Sequence, residues 1–147
     1  MNSSSIQPVE ILLVEDNPGD IRLTQESLKE SKVFNNLHVV KDGESAMEFL
    51  NKKGQYKEVP RPNLILLDLN LPKMNGQEVL AIIKQNEELK TIPVVILTSS
   101  EADEDIVKSY NLHANCYITK PVDLEKFIDV VNAIDSFWFG IVQYPPK

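Results

Sequence analysis

Short apolar runs in this sequence end abruptly in polar residues that could do chemistry. In chain order these residues are Glu15, Asp16, Asp68, Thr98 and Lys120. If the runs are parallel strands, their carboxyl ends lie at one edge of a sheet, and the side chains converge although they are far apart in sequence. Three carboxylates brought together repel one another and need positive charge nearby. Lys120 supplies one such charge, and a hard divalent cation would supply the rest.

This combination of groups suits the transfer of a phosphoryl group. Mg²⁺ favours a site of two carboxylates, a carbonyl and waters, and it would neutralise an incoming phosphoryl group. Asp68 would then be the nucleophile towards phosphorus, and Thr98 would donate a hydrogen bond to a phosphoryl oxygen. Each residue alone has a simpler interpretation, since acids after strands often cap helices and a lone lysine is usually solvated. The combination of all five is the specific signal.

The spacing of apolar residues predicts the elements that position these side chains. Leu64–Leu67 is apolar at every position, which suits a central parallel strand covered on both faces. The predicted strands are Ile11–Val14, Leu37–Val40, Leu64–Leu67, Pro93–Leu97 and Cys116–Thr119. The predicted helices run from Asp20 to about Lys32, from Gly43 onwards, from near Asn75, over Ala102–Tyr110 and after Asp123. Alternating strands and helices predict an α/β fold: a doubly wound, five-stranded parallel sheet in the flavodoxin-like order 2-1-3-4-5 with five helices.

The bulk composition is that of one globular domain. The chain has 147 residues, of which 42% are hydrophobic and 25% charged. We expect a flexible tail over residues 1–8, a domain over 9–140 and an extension over 141–147. The net charge of −7 argues against a nucleic-acid partner. No apolar run is long enough for a membrane span and the single cysteine excludes an internal disulfide framework, so we expect a cytoplasmic protein without a membrane partner.

Four segments of the chain resemble the response-regulator receiver domain of two-component signalling. They are Leu13–Asp16, Leu67–Gly76, Leu97–Ser99 and Tyr117–Pro121, in the order and spacing of that family. By this resemblance Asp68 is the phosphoacceptor. Asp16, Asp68 and the backbone carbonyl of Asn70 bind Mg²⁺ or Mn²⁺, and Glu15 acts through a water molecule.

The resemblance also assigns the residues that respond to the phosphoryl group. Thr98, Ser99, Tyr117 and Lys120 form the phosphoryl-binding and switch group, and the bond before Pro121 is expected to be cis. Asn75 stands where the family often has aspartate. Both residues cap helices well, so this departure changes little.

The resemblance implies a single-domain response regulator. It takes a phosphoryl group from a histidine kinase and signals through protein contacts. It is not an enzyme with its own substrate, although it assists its own phosphotransfer and autodephosphorylation. Asn17–Leu23, Ala114–Tyr117 and the ending Phe137, Trp138 and Tyr144–Pro146 are similar to stand-alone receivers that partner bacterial phytochrome histidine kinases. A phytochrome-type kinase is therefore the narrower expectation.

The last helix carries more apolar residues than one core-facing stripe requires. Phe127, Val131, Ile134 and Trp138 follow the spacing of a single stripe. The surplus predicts a homodimer through the face of the fourth helix, fifth strand, fifth helix and C-terminal tail. The interface residues we assign to it are Val130, Phe137, Trp138, Ile141 and Tyr144. Burial of the surplus by the tail within one monomer is the alternative.

Three other functions compete with a phosphorylated receiver. A phosphatase of the haloacid-dehalogenase kind would need an acid two residues after its nucleophile, and Asn70 cannot transfer a proton in that role. A flavin carrier of the same fold would need a phosphate-binding loop after the first strand, where Glu15 and Asp16 would repel the phosphate. An unphosphorylated pseudo-receiver that only binds partners remains open, although every residue for phosphorylation is present.

Overall fold

The computed structural model describes residues 8–31, 34–99 and 116–133. Its strands are β1 (Val9–Val14), β2 (Asn35–Val40), β3 (Leu64–Asp68), β4 (Val94–Thr98) and β5 (Cys116–Thr119). The helices are α1 (Pro18–Glu30), α2 (Gly43–Leu50), α3 (Gly76–Gln85) and a C-terminal helix (Leu124–Ala133). All neighbouring strands are parallel, in the order β2-β1-β3-β4-β5. The predicted fold class and strand order are confirmed.

Helices cover both faces of the sheet, which explains why β3 is apolar at successive positions. Ile65 and Leu67 face α2 and α3, whose buried residues include Phe49 and Leu80. Leu64 and Leu66 face the other side, where the core takes in Ile21 and Leu28 of α1 and Phe127 of the C-terminal helix. Because each face of β3 is buried, neither face needs polar residues. The chain becomes polar only at the end of the strand, where Asp68 stands.

Each of the four described helices begins at a side-chain cap, and before the C-terminal helix Asp123 accepts a hydrogen bond from the Lys126 N–H at 2.9 Å. The Asn17 side chain accepts a hydrogen bond from the Asp20 N–H at 3.0 Å, and Asp42 accepts one from the Ser45 N–H at 2.7 Å. Asn75 accepts from the Glu78 N–H at 3.0 Å, and the Glu78 side chain bonds back to the Asn75 N–H. This reciprocal cap supports the expectation that asparagine serves well at position 75. The caps hold α1 and α3 against the loops that carry the acids.

The structure differs from the sequence prediction mainly at element boundaries. Strands β1 and β2 each begin two residues earlier than predicted, at Val9 and Asn35. The first residues of both strands include polar side chains, so the apolar pattern did not predict these starts. The Glu10 N–H donates to the Asn63 side chain at 2.8 Å, and the Glu10 carboxylate bonds to His38 at 2.8 Å. The predicted loop over 51–61 contains a short 3-10 turn, Gly54–Tyr56.

Several predictions concern residues that the structure does not describe. The predicted fourth helix, Ala102–Tyr110, lies outside the described residues, as do the tail over 1–7 and the extension over 141–147. Of the assigned interface, the side chain of Val130 and the whole of Phe137, Trp138, Ile141 and Tyr144 also lie outside them. Within the described residues, no helix is both long enough and apolar enough to cross a bilayer.

Candidate phosphoryl-acceptor site

The register of the sheet brings the polar residues to one level at its carboxyl edge. Val14 of β1 is paired with Leu67 of β3, so the next residues, Glu15 and Asp68, lie side by side. Across β4 and β5, Thr98 is paired with Thr119, the residue before Lys120. This arrangement follows from parallel pairing, in which strands that start at one edge all end at the opposite one.

Three acids form a close cluster at this edge. Carboxylate oxygens of Glu15, Asp16 and Asp68 lie within 4.8 Å of one another. Glu15 is 0% exposed and Asp68 is 2% exposed, whereas Asp16 lies at the surface. The cluster is therefore half inside the protein and half open to solvent. A donor set made only of carboxylate oxygens fits a hard divalent cation such as Mg²⁺ or Mn²⁺.

Lys120 reaches into the cluster from the end of β5. Its Nζ lies 2.9 Å from Glu15 Oε1 and donates to Asp68 Oδ2 at 3.0 Å. The Lys120 N–H donates to the Thr98 carbonyl at 2.7 Å, so the backbone holds it against β4. The bond between Lys120 and Pro121 is cis, as expected. Lys120 thus supplies the positive charge that the acids require.

The charges in this cluster perturb one another. Burial and the hydrogen bond and charge of Asp68 raise the pKa of Glu15 from 4.5 to about 7. Burial alone would lower the pKa of Lys120, but the close contacts and negative charges of Glu15 and Asp68 outweigh it and hold that pKa above its ordinary value. Lys120 therefore stays protonated, and one lysine does not fully compensate the buried acids.

The loop after β3 is held tightly against the site. Asp68 Oδ1 accepts a hydrogen bond from the Asn70 N–H at 3.1 Å, which fixes the carboxylate. The Gly76 N–H donates to the Leu69 carbonyl at 3.0 Å and closes the loop at its base. A Cβ on Gly76 would lie 2.2 Å from the Asp68 carbonyl oxygen, and one on Gly43 would lie 1.9 Å from that of Met74. Only glycine allows α2 and α3 to approach the loop so closely.

The residues predicted to form the switch lie on β4 and β5. Thr98 is 1% exposed, and its hydroxyl has no hydrogen-bond partner among the residues the structure describes. Ser99 is exposed and lines an open cleft together with Asp16 and Asp68. Tyr117 is partly buried and packs against the core on the α2 and α3 face. Its partner across the strands is Ile96, two residues before Thr98.

Asp20 is a member of the site that the sequence interpretation missed. Its Oδ2 accepts a hydrogen bond from Lys120 Nζ at 3.2 Å, across 100 residues of sequence. The sequence pattern places Asp20 only at the start of a helix, where acids are common. The available signal was its position four residues after Asp16, where the first turn of α1 returns over the carboxyl end of β1. An open cleft of about 620 Å³ is lined by Glu15, Asp16, Asn17, Pro18, Asp20, Asp68, Asn70, Ser99, Lys120 and Pro121.

A doubly wound sheet that carries acids and a lysine in this order at its carboxyl edge is the arrangement expected of a receiver. The chain belongs to the response regulator receiver domain family, whose pattern its residues 11–132 match. Among individual proteins, it is 52% identical over 145 residues to the response regulator Rcp1 of Synechocystis sp., covering 99% of each chain. The resemblance noted from the sequence is confirmed.

Solved structures of similar proteins agree with this assignment. The bacteriophytochrome response regulator RtBRR superposes with a TM-score of 0.86 at 42% identity, over 96% of this chain and 86% of that one. The Mn²⁺-bound form of Rcp1 gives a TM-score of 0.74 at 53% identity, and the match covers 95% of this chain and 100% of that one. The phosphorylated cyanobacterial phytochrome response regulator RcpA gives a TM-score of 0.76 at 48% identity, and the match again covers 95% of this chain and 100% of that one.

Proposed function

We propose that this response regulator accepts a phosphoryl group on Asp68 from a phosphohistidine of a histidine kinase. One observation carries the proposal. The Asp68 carboxylate is fixed at one oxygen by the Asn70 N–H at 3.1 Å and at the other by Lys120 at 3.0 Å, beside two further acids. The phosphorylated state of the similar protein RcpA supports it.

The reaction exchanges one bond to phosphorus for another. A carboxylate oxygen of Asp68 attacks the phosphorus, and a new O–P bond forms while the P–N bond to the kinase histidine breaks. The electron pair of that bond returns to the imidazole nitrogen. The protein contributes mainly position and charge, because the contacts from Asn70 and Lys120 hold the nucleophile in place before the donor arrives.

The acid cluster fits the divalent cation that such a transfer requires. Asp16, Asp68 and the backbone carbonyl of Asn70 would hold Mg²⁺ or Mn²⁺, with Glu15 acting through a water molecule. The cation supplies positive charge that balances both the acids and the phosphoryl oxygens. The Mn²⁺-bound form of the similar protein Rcp1 supports this assignment. Because Asp16 is exposed, a cation can reach the site from solvent.

We assign the response to phosphorylation to Thr98, Ser99, Tyr117 and Lys120. The buried Thr98 hydroxyl, unpaired among the described residues, is free to donate to a phosphoryl oxygen. Lys120 would pair with the same group. Tyr117, beside β4 on the neighbouring strand, would then repack and change the surface that partners read. The open cleft also admits water, so we expect the protein to assist its own dephosphorylation.

We further propose that the kinase is of the phytochrome type. The support is the similarity to RtBRR and RcpA, which are response regulators of bacteriophytochrome and phytochrome. The output would be a protein contact, with homodimerisation through the face of the predicted fourth helix, fifth strand and fifth helix. In the described part of the last helix, Phe127 is 0% exposed, which supports a core role for the first apolar stripe. The cytoplasmic location remains a prediction from the composition.

Intact-mass analysis after incubation with acetyl phosphate tests the proposal. We expect one added phosphoryl group with Mg²⁺ and none with a chelator. Asp68→Asn should abolish labelling, whereas Asp123→Asn, which changes an exposed helix cap that does not line the cleft, should not. Labelling that survives Asp68→Asn would contradict the assignment.

The same samples separate the other functions. A protein that is never labelled by acetyl phosphate or by phosphorylated phytochrome kinases would be an unphosphorylated binding module. Continuous release of phosphate from a simple phosphomonoester would instead indicate a phosphatase. A panel of autophosphorylated kinases then tests the phytochrome assignment, which fails if kinases of other types transfer faster.

A further inference from the structure

The ammonium group of Lys120 has an acidic partner that the acceptor chemistry does not use. Its Nζ lies 3.2 Å from Asp20 Oδ2, in addition to 2.9 Å from Glu15 Oε1 and 3.0 Å from Asp68 Oδ2. The contacts to Asp20 and Asp68 are hydrogen bonds, whereas the contact to Glu15 is a charge pair without hydrogen-bond geometry. Phosphorylation would turn the Asp68 carboxylate into an acyl phosphate, and its phosphoryl oxygens would then compete with Asp20 for hydrogen bonds from Lys120.

The three partners differ in how readily they can be released. The side chains of Glu15 and Asp68 are 0% and 3% exposed, whereas that of Asp20 is 25% exposed. A buried carboxylate that loses its partner cannot be rehydrated, and its release is therefore costly. Water can reach Asp20 at the wall of the cleft. Asp20 is thus the partner whose exchange costs least.

Asp20 is also separated from the cluster that would hold the cation. Among the residues described, the acids whose oxygens lie within 4.8 Å of one another are Glu15, Asp16 and Asp68, and Asp20 is not one of them. Its carboxylate bonds to Lys120 and to no second basic residue in the described part of the chain. Its effect on the site is therefore exerted through Lys120.

We propose that Asp20 is a positioning residue that holds Lys120 in the unphosphorylated protein and competes with the phosphoryl group for it. The inference rests on the proposed acceptor role of Asp68. On phosphorylation, Lys120 exchanges the Asp20 carboxylate for a phosphoryl oxygen, and Asp20 becomes hydrated. Asp20 therefore stabilises the unphosphorylated state and restrains phosphorylation.

Labelling with acetyl phosphate tests the competition. In this reaction Asp68 displaces acetate from phosphorus, and the acetate leaves with the electron pair of the broken P–O bond. Asp20→Asn keeps the size of the side chain and removes its charge, so the rate of labelling with Mg²⁺ should rise by about threefold. Asp20→Glu, which keeps the charge, should stay closer to the wild type. Glu44→Gln, at an exposed acid in the first turn of α2, should have no effect.

A second measurement needs neither a cation nor a phosphodonor. With a chelator present, brief treatment with acetic anhydride and peptide mass analysis reports how readily each lysine is acetylated. The hydrogen bond to Asp20 Oδ2 at 3.2 Å holds Lys120 Nζ at the wall of the cleft, so Asp20→Asn should leave the amine easier to reach and raise its acetylation about threefold. The exposed Lys41 should be unchanged in the same sample. A general loosening of the fold would raise the acetylation of both lysines together.

The outcomes separate the inference from the proposed function. Faster labelling together with selective acetylation of Lys120 supports the inference. Labelling of Asp20→Asn at or below the wild-type rate, or unchanged acetylation of Lys120, overturns it. If the wild type is not labelled at all, the proposed function fails and the competition with it, while selective acetylation would still establish the ion pair.

Discussion

The backbone N–H of Lys120 donates a hydrogen bond to the carbonyl of Thr98 at 2.7 Å. This bond extends the pairing of β4 and β5 by one step beyond Thr119. It joins the residue that carries the protonated ammonium to the residue that carries the buried hydroxyl. The two groups that we expect to contact a phosphoryl group are therefore positioned by the sheet itself.

The Thr98 hydroxyl should cost stability in the unphosphorylated protein. It is buried without a hydrogen-bond partner among the described residues. Thr98→Val replaces it with a methyl group of similar size and should raise the free energy of unfolding by about 1 kcal/mol. Thr98→Ser keeps the hydroxyl and is the control for volume. Urea denaturation measures both, and a loss of stability in Thr98→Val would show that the hydroxyl is already satisfied.

The raised pKa of Glu15 predicts how metal-free stability depends on pH. Burial raises that pKa from 4.5 to about 7 in the folded protein, so folding favours the protonated acid. The stability that the protonated Glu15 contributes to the folded state is present below pH 4.5 and is lost as the pH rises to about 7. In a chelator, Glu15→Gln should therefore gain stability relative to wild type across this window, by on the order of 3 kcal/mol. A difference that does not change with pH would contradict the prediction.

Divalent cations should stabilise the folded protein through the acid cluster. Mg²⁺ at 100 times its dissociation constant should add about 2.7 kcal/mol to the free energy of unfolding, because it binds the folded state only. Asp16→Asn should remove most of this gain with little change in the fold, since Asp16 is exposed. Glu48→Gln, at an exposed acid of α2, controls for general charge effects. Equal stabilisation of both variants in thermal melts would rule out the proposed site.

Gly76 should be intolerant of any side chain. A Cβ there would lie 2.2 Å from the Asp68 carbonyl oxygen and 2.6 Å from Leu69 Cα, both backbone atoms. Gly76→Ala should therefore lower the free energy of unfolding by about 2 kcal/mol. At Gly19 the nearest atom is a side-chain oxygen 3.2 Å away, so Gly19→Ala should change stability much less. Similar losses in both variants, measured by urea denaturation, would show that the close approach at Gly76 is not required.

The homodimer remains a prediction from the sequence of the last helix. Sedimentation of the wild type and of Phe137→Glu, with and without phosphodonor, measures it. We expect the wild type to associate and Phe137→Glu to remain monomeric, because a charge in an apolar interface is costly. A wild type that is monomeric at high concentration would instead assign the surplus apolar surface to the tail or to a partner.

The sequence by itself predicted the strand runs and their order, and it placed Asp68 at the end of the third run. An apolar run such as Leu64–Leu67 that ends in an acid is a local signal, and parallel topology then places strand ends together. The acids at positions 15 and 16, the lysine and the cis bond before Pro121 followed from the same order and from family resemblance. Helix starts were also readable, because caps such as Asn75 act on residues only three positions away.

The tertiary structure alone decided which side chains meet across long separations. The pairing of Asp20 with Lys120 spans 100 residues, and the approach of Gly43 to Met74 joins two different helix–loop units. Such contacts depend on strand register and on how each helix is rotated over the sheet. Neither strand register nor helix rotation produces a periodic pattern in the sequence. An acid in a first helical turn is common whether or not it has a distant partner, so Asp20 alone did not indicate its contact with Lys120.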